Sequence, residues 1–127
     1  MKIAVLIARI LLGLLFLVFG LNGFLHFIPM PPPSGLAGQY MGALFVSHYL
    51  VVVFLLQVVG GALLLANRYV PLGLLLLGPV LVNILLFHSF MAPEGLPIAL
   101  FATVLWVIVF AGARKAFAGV FAQRVEV

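Results

Sequence analysis

From Ile3 to Ile28 the chain runs 26 residues with one charged side chain, Arg9. A helix of that length is about 39 Å long, more than the roughly 30 Å of a bilayer's hydrocarbon core. Three further runs of membrane length follow, and together the four use most of the 127 residues. Only 6% of residues are charged, against about 25% in soluble domains, and mean hydropathy is +1.44. A surface of this composition cannot be wetted, so hydrocarbon is the expected solvent. In hydrocarbon every backbone N–H and C=O must bond internally, and continuous apolar runs do this as helices. The expected fold is therefore all-α: an integral membrane four-helix bundle, up-down-up-down, with residues 1–127 forming a single transmembrane domain. The spans are predicted at about 3–28, 48–66, 71–91 and 97–115. The first run is about twice the length of a signal-peptide core and no A-x-A-like site follows it closely, so it reads as a retained span.

The links punctuate this plan. Pro29, Pro31, Pro32 and Pro33 forbid helix directly after the first span. Ser34 is placed to cap a short helix beginning at Gly35. Leu36, Tyr40, Ala43 and Leu44 follow at helical spacing, which predicts a short interfacial helix, a lid over the bundle. Asn67-Arg68-Tyr69 is a tight polar turn, and Pro71 and Pro97 suit first helical positions. Pro79, mid-span, should free a carbonyl near Leu75. Gly13 and Gly20 lie seven apart, on one helix face, and permit close approach of a neighbour.

Charge gives orientation. Lys2, Arg9, Arg68, Arg114, Lys115 and Arg124 all fall at one side of the predicted bundle, and the links on the other side carry no Lys or Arg. By the positive-inside rule both termini are expected in the cytoplasm. Arg9 itself reads as snorkelling to the inner headgroups. Cations at span ends rather than in a patch argue against nucleic acid as a partner. The absence of cysteine removes disulfides and thiolate chemistry from this chain.

The polar residues inside the spans sort by depth. His26 is 17 residues above Arg9, His88 is 17 above Pro71, and His48 is 20 above Arg68, placing three histidines near the outer end. Asn22, Gln57 and Asn83 form a second layer about 17–20 Å from the inner edge. Lipid tails cannot satisfy such groups, so they are expected to face inward. Helix angles qualify this. Asn22 and His26 share a face, but Asn83 and His88 diverge by about 140° and His48 and Gln57 are nearly opposite. Trp106 falls near mid-membrane and needs an acceptor for its indole N–H.

Three uses of these residues follow. They can be structural glue between helices, in a non-catalytic scaffold or partner-binding subunit. They can line a pocket for a quinone or similar lipid-soluble carrier, with Asn22, His26, Gln57, Asn83 and His88 as hydrogen-bonding groups and Trp106, Phe27 and Phe87 as walls. Or His26, His48 and His88, with Glu94, can hold a metal or haem, although no paired-ligand spacing is present and the ligands would have to converge from separate helices.

The run from Arg9 to Gly13 with Phe16 and Gly20, the Gly60-Gly61 pair with the three leucines Leu63 to Leu65, and the turn Asn67-Arg68-Tyr69-Val70-Pro71 resemble the DoxX family of small four-span bacterial membrane proteins. The resemblance covers essentially the whole chain and contains no catalytic signature. The family is named for the small subunits of a thiosulfate:quinone oxidoreductase. It implies a redox or quinone-associated subunit of the inner membrane, working with a soluble or membrane-bound partner subunit or as a homo-oligomer. Thiosulfate chemistry by a protein thiol would then belong to the partner.

Overall fold

The computed structural model describes residues 1–127. The chain is all-helical: α1 (Lys2–Leu25), α2 (Gly35–Val46), α3 (Tyr49–Ala66), α4 (Val70–Phe90) and α5 (Leu96–Gly112), with 3₁₀ turns at Pro93–Gly95 and Arg114–Phe121. Four helical segments, Lys2–Leu25, Tyr49–Ala66, Val70–Phe90 and Pro93–Gly112, are long and apolar enough to cross a membrane. They close a ring in which α1 packs on α3 and α5, α3 on α4, and α4 on α5. Large apolar side chains such as Leu55, Leu75, Val82 and Val104 point outward. That arrangement is unfavourable in water and suits a hydrocarbon solvent.

The tightest seam is between α1 and α3. A Cβ at Gly61 would lie 2.7 Å from Leu17 N and 2.8 Å from the Gly13 carbonyl oxygen, and one at Gly13 would lie 3.0 Å from the Gly61 oxygen. The two backbones touch because neither residue has a side chain, which is how membrane helices gain packing energy without a hydrophobic effect. A solid core of Leu12, Leu64, Leu74, Leu77 and Val109 fills the end of the bundle nearest Arg9 and Arg68.

Several boundaries differ from expectation. The first span stops at Leu25, because His26 takes the left-handed conformation (φ 53°) and its N–H donates to the Asn22 carbonyl at 2.8 Å. The Asn22 side-chain oxygen accepts the Ile28 N–H at 2.7 Å. This asparagine closes the helix end before the prolines do. Helix α2 begins at Gly35 as expected, but no side-chain bond from Ser34 caps it. Its inward face is Ala37, Tyr40, Met41 and Leu44, whereas Leu36 and Ala43 are exposed. Arg9 reaches across to the end of α3. Its guanidinium donates to the Leu64 carbonyl and, at 3.4 Å, to that of Leu65. It thereby adds a charged donor to the last turn of α3, where the Leu64 carbonyl also accepts the Asn67 N–H at 3.2 Å. The last helix ends at Gly112, and Phe117 in the following 3₁₀ turn is buried against Phe110, 4.9 Å between ring centroids.

Candidate functional site

At the end of the bundle opposite the solid core, the helices enclose a cavity of about 390 Å³. Its apolar walls include Phe16 and Phe19 of α1, Phe54 of α3, Ile84 of α4 and Ile98 of α5. Beside it, under α2, lies a smaller cavity of about 190 Å³ roofed by Tyr40, Met41 and Leu44. Met41, Phe54, Gln57, Ile84 and His88 border both. The larger volume falls within the range of small-molecule pockets, about 300–1,000 Å³.

Glycines on α1 make room for this wall. A Cβ at Gly20 would meet the Cβ of Gln57 at 3.0 Å, and one at Gly23 would collide with the Phe54 ring. The ring of Phe54 also meets Phe24 edge-on, 6.1 Å between centroids. The glycines on either side of Asn22 therefore seat Gln57 and Phe54 against α1, while Asn22 turns into the cavity.

Two amides face this space. Asn22 is 8% exposed and Gln57 is 7% exposed. The Asn22 oxygen is occupied by the Ile28 N–H, which leaves its NH₂ group for the cavity. Gln57 has no hydrogen-bond partner within the protein at either its oxygen or its nitrogen, and none of its polar atoms is sealed away from the cavities it borders. An amide transferred to an apolar setting without a partner costs about 1–3 kcal/mol by mutational measures. This side chain is therefore set up to bond something that enters.

The third polar group is His88. Its Nδ1 lies 3.0 Å from the Ala92 carbonyl oxygen. A carbonyl only accepts, so Nδ1 carries the proton and, in the neutral ring, Nε2 is an acceptor. The ring lies so close over Gly95 that a Cβ there would overlap it. Phe87 meets it edge-on at 5.1 Å and itself packs on Tyr40 at 5.7 Å.

Not every expected residue comes to this site. His26 and His48 are exposed, each in the left-handed conformation at a helix end. Glu94 is exposed in the turn before α5. No three of the chain's His, Asp and Glu side chains gather closely enough to hold a metal ion, so the set His26, His48, His88 and Glu94 is not assembled. Asn83 is exposed and reaches only the smaller cavity. Its divergence from His88 around α4 leaves one of the two facing outward. Trp106 is not a cavity wall. Its indole N–H donates to the Leu74 carbonyl at 3.1 Å and its ring stacks on Phe110, 5.3 Å apart and 7° from parallel. That carbonyl is one residue before the one Pro79 deprives of its helical partner. Phe27 is also exposed.

Residues not foreseen take the vacated places. Phe16, Phe19 and Phe54 form the aromatic wall, Met41 separates the two cavities, and Gly95 seats the imidazole. Nothing in the sequence around Gly95 pointed to a ring from α4. Comparison with family models, with curated proteins and with solved structures finds no match to the chain.

Proposed function

We propose that this protein binds a neutral, lipid-soluble small molecule of the quinone type within its helical bundle, as a DoxX-like redox-associated subunit of a bacterial inner membrane. The reading rests chiefly on Gln57, a nine-tenths-buried amide with no partner in the protein, bordering two adjoining cavities with aromatic walls. A flat carrier needs an apolar slot and hydrogen-bonding groups for its ring oxygens. Gln57, Asn22 and His88 supply these, and no Lys, Arg, Asp or Glu lines the larger cavity. Ligand chemistry and electron transfer belong to the carrier and to a partner subunit. The chain's own part is to hold and orient the ring.

The up-down-up-down arrangement, with both termini cytoplasmic and α2 lying at the outer interface, belongs to the same reading. It is supported by the Lys and Arg distribution and by Arg9 bonding carbonyls of the α3 end that leads to Arg68. The pocket then sits near the outer leaflet.

The test is binding of a short-chain quinone or its hydroquinone to purified protein in nanodiscs, comparing wild type with Gln57→Leu and Asn22→Leu. Saturable binding that both substitutions weaken is expected. Binding indistinguishable from empty nanodiscs, or unaffected by either substitution, overturns the pocket. A scaffold role has one observation in its favour: Asn83 is exposed on an apolar span with no partner in the chain, the kind of group that bonds a neighbouring helix. Photo-crosslinking from position 83 to another protein would favour that reading.

A further inference from the structure

The carrier's oxidation state can be read from the donors and acceptors around the larger cavity. This step rests on the pocket reading above. Asn22 offers its NH₂, while its oxygen already accepts the Ile28 N–H. Gln57 offers an NH₂ and an oxygen, neither partnered in the protein. His88 offers a lone pair at Nε2, because Nδ1–H is committed to the Ala92 carbonyl at 3.0 Å. The side chains that line the cavity thus include acceptors as well as donors, and a ligand with only acceptor oxygens leaves those acceptors without a proton.

We infer that the site is built for a neutral aromatic alcohol, the hydroquinone form of such a carrier or a phenol of similar shape, whose hydroxyl donates to His88 Nε2 and whose oxygen accepts from a side-chain amide. A single hydroxyl can do both, since it holds one proton and two lone pairs. The oxidised diketone has no proton to give, so at His88 it forgoes a hydrogen bond that the alcohol makes. Phe16, Phe19 and Phe54 supply the faces against which the ring lies. Gly95 is part of the device. Lacking a Cβ, it lets the imidazole lie against the turn, within reach of Ala92. His88 here is a binding and positioning group, and no bond to the ligand is made or broken.

The experiment uses the full chain in nanodiscs and three probes of equal tail length: 2-decylhydroquinone, 2-decyl-1,4-benzoquinone and 2-decyl-1,4-dimethoxybenzene. Calorimetry under argon should give the hydroquinone an affinity about tenfold or more above the other two. His88→Phe should reduce that preference to less than about threefold, by loss of hydroquinone binding. Because His88→Phe could fail to fold, ¹⁵N-histidine NMR of the wild type gives an independent readout: the His88 Nε2 resonance should shift with the hydroquinone and not with the dimethoxy probe. Equal binding of quinone and hydroquinone overturns the inference and leaves the pocket standing. A preference that survives His88→Phe, or an unmoved Nε2 resonance, overturns it as well. No saturable binding of any probe removes both the inference and the pocket.

Discussion

The indole N–H of Trp106 donates to the main-chain carbonyl of Leu74 at 3.1 Å, joining α5 to α4 beside the break in backbone bonding at Pro79. A residue that looked suited to stacking on a ligand is instead a bolt between two helices. Replacement by Phe keeps the stack on Phe110 but loses the bond. The expected loss is about 0.6–1.7 kcal/mol, the range for interhelical hydrogen bonds in membrane proteins. Thermal unfolding in detergent measures it, and probe binding should stay at the wild-type level.

Gln57 predicts an opposite balance of stability and binding. In the ligand-free protein its amide bonds nothing within the chain, so Gln57→Leu should be neutral or slightly stabilising while weakening probe binding. A marked fall in melting temperature would mean that the amide is partnered internally and the cavity is not its target.

The α1–α3 seam can be probed one methyl at a time. Gly61→Ala puts a Cβ 2.7 Å from Leu17 N, where only backbone could yield. Overpacking of this kind costs about 1–3 kcal/mol, so the melting temperature should fall clearly. At Gly42, in α2, a Cβ would have nothing within 4 Å of it, and Gly42→Ala should be neutral or stabilise by up to about 1 kcal/mol.

Arg9→Met should destabilise by about 1–3 kcal/mol, because the Leu64 carbonyl loses a charged donor. If Arg9 served only to reach headgroups, Arg9→Lys would preserve stability. Since the guanidinium bonds two successive carbonyls, Lys should rescue only part of the loss, as read by denaturation in mixed micelles.

The helices were legible because hydrocarbon length and proline position are written directly in the chain. Pro71, Pro93 and Pro97 stand at helix starts, and the glycines at 13 and 20 face α3 as their spacing implied. Direction was only partly legible. The angle between His48 and Gln57 was visible in the sequence, and one is exposed while the other is buried. His26 escaped because a left-handed residue ends the helix before its side chain can follow Asn22 inward. Trp106 and Gly95 escaped because their partners, Leu74 and His88, lie on another helix. No periodicity within one segment encodes which carbonyl or ring a second segment will bring.

The contact of Gly13 with Gly61 bears on how any solute comes and goes. Where two main chains already lie against each other, a gap as wide as an aromatic ring cannot open without unzipping the pair. The neighbouring α3–α4 flank is different, for there Tyr40, Met41 and Leu44 roof the smaller chamber. Their helix is anchored chiefly on α3 among the long helices, flanked by prolines at one end and by the left-handed His48 at the other. On the pocket reading proposed above, a ligand that enters beneath α2 leaves the zipped α1–α3 seam closed.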